Sequence, residues 1–326
     1  MKPEIVQCCP PTHEVNNVRK THSKDKGDAQ DTQKHKRSSL RYVNVTTDDL
    51  MNGNFNNVLV QKNIGSGYGG SVFKCVVYPD FNNRQRHPGS GNAKSRESTS
   101  VVALKVLPKD RTKSKVAVNE VELLRAASDT NVLTYLTAME TVDSYWIITE
   151  FCPQGDLHGM LRSLDERDVL TREYMRDVIS GLQSLHDKFI AHADIKMKNI
   201  LISDKNVAKI ADFGFAKQYS SGADLECACN GTKDYWAPEM MVYAPSYSPF
   251  LADIYALGVT FAGVCERRPI KIKHDNVHLV VNRFRDHGQV ELFRGLLNIH
   301  TERWSLRRAK ANQWLNEFSS PLGSPA

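Results

Sequence analysis

The sequence of 326 residues has no long hydrophobic run and few cysteines, and each scarcity excludes a class of protein. The longest apolar stretch, from Ile254 to Cys265, covers about 12 residues, whereas a membrane-spanning helix needs roughly 20. We therefore predict a buried helix there and no membrane span. The seven cysteines are odd in number and lack paired CxxC spacing, so neither a disulfide framework nor a zinc ribbon is expected.

The amino-terminal segment also lacks the features of exported or lipid-anchored proteins. It has no apolar signal-peptide core, and position 2 is not the glycine that myristoylation requires. Cys8 and Cys9 are candidates for palmitoylation, although free thiols are the simpler interpretation. We expect an intracellular protein, either cytoplasmic or, through the basic cluster from Lys34 to Arg37, nuclear. The net charge of +6 is modest, and the surplus basic residues lie in the polar tail without interleaved aromatic residues. The sequence therefore carries no strong signal of nucleic-acid binding.

The composition changes along the chain and predicts its organisation. Residues 1–54 are polar and basic, and we interpret them as a mostly disordered tail because they cannot bury enough apolar surface. The segment 79–100 is too polar and too long for a hairpin loop, so we predict a flexible insertion. Strand patterns are concentrated in residues 55–151 and helical patterns in 152–318, followed by a short tail, 319–326. The oligomeric state is not predicted.

Two features of the first half suggest phosphate binding. The run IGSGYGGSVF has glycines that allow backbone amides to approach phosphate oxygens, and it leads into a strand rather than a helix. Lys105 follows in the apolar strand VALKVL, where a cation can be held rigidly. A carboxylate is needed to fix that lysine, and Glu120 is preferred over Glu122 because it shares a helix face with Leu124.

The strongest chemical signal is the segment HADIKMKN. Asp194 is predicted to accept a hydroxyl proton, Lys196 to contact the transferring phosphoryl group, and Asn199 to bind a metal ion. Asp212 follows at the start of DFG and supplies a second oxygen ligand, since Mg²⁺ prefers a few carboxylates together with phosphate oxygens.

These motifs, with GTKDYWAPE, ADIYALG and TERW, make the chain resemble the eukaryotic protein kinase family over roughly Val58 to Leu315. The resemblance implies an α+β, bilobal fold with a small β-rich N-lobe carrying one main helix and a larger, mainly helical C-lobe. It also implies ATP and Mg²⁺ as cofactors, protein substrates as partners, and Arg303 as the buried partner of Glu239. The residues it assigns to nucleotide binding are Ile64, Gly65, Ser66, Gly67, Gly70, Val72, Ala103, Lys105, Glu120, Thr149, Glu150, Cys152, Asp156 and Leu201.

One position departs from the family pattern. Ala193 precedes the catalytic aspartate, where many members have an arginine that binds a phosphorylated activation loop. Alanine cannot do this. We therefore hypothesise that activity does not depend on phosphate capture at this position, although Ser220 and Ser221 lie in the loop between DFG and APE.

Three functions remain open at this point. A serine/threonine kinase is favoured for two reasons. The family's serine/threonine members carry a lysine where this chain has Lys196, whereas tyrosine kinases usually carry Ala or Arg near that place, and Thr232 is expected to hydrogen-bond the catalytic residues. A pseudokinase, acting as an ATP-binding scaffold, usually lacks one of the catalytic residues, all of which are present here. A small-molecule kinase of related fold would generally lack the GTKDYWAPE segment.

Overall fold

A computed structural model of the chain describes residues 40–53, 58–67, 70–78, 99–110, 113–164, 169–241, 246–272 and 276–317. The strands are β1 (Arg41–Tyr42), β2 (Val58–Gly67), β3 (Gly70–Val77), β4 (Ser100–Pro108), β5 (Tyr135–Glu140), β6 (Ser144–Glu150), β7 (Ile190–Ala191), β8 (Ile200–Ile202), β9 (Ala208–Ile210) and β10 (Lys217–Gln218). The helices are α1 (Thr47–Met51), α2 (Lys113–Ala126), α3 (Leu157–Met160), α4 (Val169–Asp187), α5 (Pro238–Met241), α6 (Pro249–Cys265), α7 (Val277–Val281), α8 (His287–Leu296), α9 (Leu306–Lys310) and α10 (Gln313–Asn316).

The amino-terminal half is organised around one six-stranded sheet with the order β1-β5-β6-β4-β3-β2. Successive residues of a strand point to opposite faces of a sheet, and β4 follows this rule. Val102, Leu104 and Val106 are buried in a cluster with Trp146 and Ile148, whereas Ala103 and Lys105 of the same strand are partly exposed. One face of the sheet therefore forms a small core. The other face is covered only in part, by residues such as Ile147 that pack into the main core, and it leaves Ala103 and Lys105 accessible.

The segment 40–53 was predicted to belong to a disordered tail, and this part of the prediction is wrong. Strand β1 pairs in parallel with β5, and the Thr46 side chain caps α1 through a reciprocal capping box with Asp49. Leu50 is 1% exposed in the core under the sheet. The few apolar residues of this segment are thus sufficient to order it, because the edge of the sheet pairs with β1 and the core under the sheet accommodates Leu50.

Other predicted segments fall outside the described residues. These are residues 1–39, which contain Cys8, Cys9 and the basic cluster from Lys34 to Arg37, residues 79–98 of the predicted insertion, and the tail from 319 onwards. The end of the insertion is described, and Ser100 begins β4.

The carboxy-terminal half is mainly helical and packs around α4 and α6. Helix α6 contains the apolar run from Ile254 to Val264, whose residues are all buried, so the predicted buried helix is confirmed. None of the helices in the described ranges combines the length and the apolar character that a membrane crossing requires. Arg303 forms a bidentate ion pair with Glu239, at 2.5 and 3.0 Å, as the family resemblance implies.

Two short antiparallel ladders position the loops between the halves. The ladder of β8 with β9 follows the HADIKMKN segment, and β7, which pairs with β10, ends just before that segment. The α+β architecture predicted from the sequence is confirmed, with a β-rich amino-terminal part that carries one main helix and a larger helical part after it.

Candidate active site

The open face of the sheet brings several predicted residues into one row. Gly65 is the register partner of Val72, and Val72 is the partner of Lys105. Ala103 lies two residues before Lys105 on β4, and its partner on β6 is Thr149. Because register partners share a face of the sheet, these residues line one side of a cleft. Gly70 closes the β2–β3 hairpin opposite Gly67.

Lys105 lies between two carboxylates that come from distant parts of the chain. Its Nζ is 2.6 Å from Glu120 Oε1 on α2 and 2.9 Å from Asp212 Oδ1. Burial opposes the charge of Lys105, but the two carboxylates outweigh it and raise the pKa of the ammonium group. Burial also opposes the charge of Asp212, and Lys105 more than offsets this, so the pKa of Asp212 is lowered. Glu122 is exposed on α2, as predicted.

A second cluster surrounds Asp194, whose side chain is 1% exposed. Lys196 Nζ is 2.5 Å from Asp194 Oδ2, and the Asn199 amide nitrogen donates to the same oxygen at 2.9 Å. Thr232 donates to Asp194 Oδ1 from both its backbone nitrogen and its hydroxyl, at 2.9 and 2.7 Å. Lys196 Nζ also lies 2.9 Å from Thr232 Oγ1. The segment GTKDYW is therefore tied directly to HADIKMKN.

The backbone around Asp194 is held in an unusual conformation by a buried carboxylate. Ala193 has φ 61°, a left-handed value that L-residues rarely adopt. Asp253 of α6 accepts hydrogen bonds from the backbone nitrogens of His192 and Ala193, both at 2.8 Å. This carboxylate compensates for the strained turn, and Asp194 follows it directly.

Gly231 allows the two segments to approach each other. It has φ 83°, and a Cβ at this position would lie 2.1 Å from the carbonyl oxygen of Ala193. A residue with a side chain would therefore separate Thr232 from Asp194.

The donor set fits a magnesium ion. The Asp212 side chain is 45% exposed despite its ion pair, and Asp212 adopts φ 64°. The Asn199 amide nitrogen is bound to the Asp194 carboxylate and carbonyl, so the amide oxygen is left as the group that can act as a ligand. Carboxylate and amide oxygens are hard ligands of the kind Mg²⁺ takes. Across the described ranges, no three His, Cys, Asp or Glu side chains gather into a metal site.

Comparison with known proteins identifies the family. A family model described as "Protein kinase domain" matches residues 90–319. The chain belongs to the protein kinase family. The glycine-rich segment of this kinase precedes the matched range.

Several curated kinases are similar to this one. Serine/threonine-protein kinase pakE of Dictyostelium discoideum is 31% identical over 64% of this chain and 21% of its own. Serine/threonine-protein kinase cst-1 of Caenorhabditis elegans is 32% identical over 63% of this chain and 38% of its own. The hormonally up-regulated neu tumor-associated kinase of Mus musculus is 29% identical over 71% of this chain and 36% of its own. The chain thus spans about a fifth to two fifths of the length of these relatives.

The remaining residues predicted to bind the nucleotide have identifiable surroundings. Thr149 and Cys152 are buried, and burial raises the pKa of the Cys152 thiol to about 12. The Glu150 carboxylate is engaged within the fold, because Oε1 accepts from Thr134 N at 2.7 Å and pairs with Lys209 at 2.9 Å. Asp156 caps α3 by accepting from Gly159 N at 2.7 Å. Leu201 pairs with Asp156 through a β-bridge, while Ile64 and Ser66 are exposed on β2.

Sequence reasoning missed two groups in the kinase. His192 is fully buried, lies 3.0 Å from the Ala211 carbonyl through Nε2, and contacts the Phe213 ring edge-on at 5.2 Å. Glu226 lies in the activation segment, the loop between Asp212 and Ala237, and accepts hydrogen bonds through both carboxylate oxygens. Neither has a clear sequence signal. His192 accepts from the Asp194 backbone nitrogen at 3.3 Å, but its Nε2 and ring contacts are 19 and 21 residues away, and an acidic residue in a polar loop is usually solvated.

Proposed function

We propose that this chain is an active serine/threonine protein kinase that transfers the γ-phosphoryl group of ATP to Ser and Thr hydroxyls of protein substrates. The observation that carries the proposal is the coexistence of two charged clusters that together contain every predicted catalytic and metal-binding side chain. Lys105 is fixed by Glu120 and Asp212, and Asp194 is fixed by Lys196, Asn199 and Thr232. Phosphoryl transfer depends mainly on such positioning and on electrostatic stabilisation.

Asp194 is the group proposed to orient the substrate hydroxyl and to accept its proton. Its two oxygens already receive hydrogen bonds, so the carboxylate has a fixed orientation before a substrate binds. Lys196 carries a positive charge against the same carboxylate and against Thr232. We assign to it the role of stabilising the negative charge of the phosphoryl group during transfer.

The nucleotide and its metal ion have corresponding groups on the chain. Ala103, Val72 and Leu201 provide partly exposed apolar surface for the adenine, and Lys105 provides the cation for the phosphates. Asp212 and Asn199 are the residues that would hold Mg²⁺. When bound, Mg²⁺ neutralises charge on the phosphate oxygens. The ion pair of Asp212 with Lys105 keeps both side chains facing the same point of the cleft.

Hydroxyl specificity is supported by the contact of Lys196 with Thr232. This contact ties the segment GTKDYW to the catalytic segment, where a peptide would be held. The similarity to pakE and cst-1, both described as serine/threonine kinases, favours the same acceptor.

The proposal is tested by incubating the purified protein with radiolabelled ATP, Mg²⁺ and a generic basic protein. We expect phosphoserine and phosphothreonine in the acid hydrolysate, and no label with the Asp212→Ala variant. Binding of ATP without any transfer would favour the scaffold alternative. Labelling confined to metabolites of a lysate, or to tyrosine, would contradict the proposed substrate class.

A further inference from the structure

The Glu226 carboxylate lies in the activation segment, between Asp212 and Ala237, and receives four hydrogen bonds. Lys217 Nζ and the Tyr219 hydroxyl donate to Oε2 at 2.7 and 2.9 Å. The backbone nitrogens of Cys227 and Ala228 donate to Oε1 at 2.9 and 3.1 Å. The Glu226 side chain is 13% exposed. A carboxylate with this many donors is an anchoring group rather than a solvated surface charge.

The carboxylate is ionised at neutral pH. Partial burial disfavours its charge, but the hydrogen bonds from Lys217, Ala228 and Tyr219 outweigh the burial and lower the pKa of Glu226 to about 2. The contacts are therefore charge-assisted throughout the physiological range.

Glu226 joins three parts of the fold. Its backbone exchanges two hydrogen bonds with Tyr247, each 2.9 Å, just before α6, and the Tyr247 hydroxyl donates to the Ala228 carbonyl at 2.8 Å. Lys217 belongs to β10, whose partner strand β7 ends at Ala191 and continues into Ala193 and Asp194. The network thus connects the activation segment with the chain that carries the catalytic aspartate.

The Glu226 network adjoins the position that departs from the family pattern. Ala193 and Glu226 line the same cavity of about 30 Å³, together with Lys217 and Asp253. Lys217 is the sole cation among the described residues that line this cavity, and it is already paired with Glu226. A phosphate brought to this cavity would meet the carboxylates of Glu226 and Asp253 instead of an available cation. The surroundings suit one fixed carboxylate and disfavour an added phosphate.

We propose that Glu226 is a positioning residue that holds the activation segment against the catalytic segment in place of an acquired phosphate. Catalysis then requires no phosphorylation of Ser220 or Ser221. This role rests on the proposed kinase activity, and it explains how the activation segment is held in position for a peptide substrate.

The first experiment uses the full chain, dephosphorylated and shown to be phosphate-free by mass spectrometry. We expect steady-state peptide phosphorylation at a kcat/KM within about 2-fold of the phosphorylated protein, and the same for the variant with both Ser220→Ala and Ser221→Ala. If the phosphate-free protein gains more than about 10-fold on phosphorylation of either serine, the inference fails although the proposed function stands. If neither form phosphorylates the peptide, the proposed function fails and the inference fails with it.

The second experiment compares Glu226→Gln with Glu122→Gln, a matched change on the exposed face of α2. Glutamine keeps the shape but replaces one acceptor oxygen with a donor, which must face either Lys217 and Tyr219 or the two backbone amides. We expect the peptide kcat/KM to fall about 10- to 100-fold, largely through the peptide KM, with the ATP KM changed less than 3-fold. Glu122→Gln should match the wild type. A Glu226→Gln protein with unchanged peptide kcat/KM, or with equal losses for peptide and ATP, would refute a positioning role.

Discussion

Lys105 and Asp194 are the centres of two charged clusters that differ in how far the protein itself satisfies them. Both oxygens of Asp194 accept hydrogen bonds, and the side chain is 1% exposed. In the Lys105 cluster, Asp212 is 45% exposed, and Glu120 Oε2 is buried without a hydrogen-bond partner among the described residues. The Asp194 cluster is complete and fixed, whereas the Lys105 cluster is open on the Asp212 side, as a site for a charged ligand should be.

The two clusters also differ in how far apart their members lie in the sequence. Lys196 and Asn199 follow Asp194 within five residues, so one loop sets most of that cluster. The three members of the Lys105 cluster come from β4, α2 and the loop after β9. Its integrity therefore depends on how the sheet, the helix and the helical half pack. We expect changes at Asp194 to act mainly on turnover, and changes at Lys105 to act on turnover and on the packing of these elements.

The largest expected effect follows from Asp194→Asn. Asparagine keeps the shape of the side chain but cannot accept a proton, so kcat should fall about 10²- to 10⁴-fold, the range of general base catalysis. The ATP dissociation constant should change little, whereas the melting temperature should fall, because the new amide nitrogen must face either the Thr232 donors or the Lys196 and Asn199 donors. Asp204→Asn, at an exposed position in the turn between β8 and β9, is the control. Retention of more than a tenth of the wild-type kcat would contradict the assignment of Asp194.

The next effect follows from Lys105→Met, which leaves Glu120 buried without its cation. Breaking a buried pair by removing one partner costs about 3–5 kcal/mol, and the free energy of unfolding should fall toward this range. The double variant Lys105→Met with Glu120→Gln should recover part of the stability, because the unpaired charge is removed, but no activity. Urea unfolding followed by fluorescence measures both. Equal stability of the single and the double variant would show that Glu120 does not need Lys105.

The stability of Lys105→Met should depend on pH in a predictable direction. Burial raises the pKa of Glu120, and Lys105 opposes this rise; without Lys105 the pKa rises further. A group with a raised folded pKa contributes stability that is complete below its unfolded value, near 4.3, and is lost as the pH increases toward the folded value. The deficit against wild type should therefore be small near pH 4 and larger at pH 7. Urea titrations at the two pH values test this. The double variant lacks the Glu120 carboxylate and should show a smaller trend, which comes from Asp212 because that carboxylate also loses Lys105.

The two clusters also explain what the sequence could and could not predict. Asp194, Lys196 and Asn199 are predictable because one loop of fixed spacing brings them together. The choice of Glu120 over Glu122 is predictable from helix periodicity, since Glu120 is on the buried face with Leu124. The strand and helix in residues 40–53 have a local signal only in Thr46 and Asp49, a capping box that a polar composition conceals.

Glu226 shows the limit of such reasoning. Its backbone partner, Tyr247, is 21 residues away and pairs with it through an isolated bridge, which no periodic pattern indicates. Tyr219 and Lys217 are closer in sequence, but a lysine, a tyrosine and a glutamate within ten residues are common on solvated loops. Only the tertiary structure distinguishes this carboxylate from Glu122.

The smallest effect concerns the link between the Asp194 cluster and the activation segment. Thr232→Val removes the hydroxyl that donates to Asp194 Oδ1 and contacts Lys196, but it preserves the backbone hydrogen bond to the same oxygen. Because one of two donors remains, we expect kcat to fall about 10-fold, which corresponds to about 1.4 kcal/mol. Thr232→Ser keeps the hydroxyl and should remain within about 3-fold of wild type. Single-turnover measurements separate this step from product release. If valine and serine are equally active, the hydroxyl does not position Asp194, and the backbone donors together with Gly231 are sufficient to hold the two segments together.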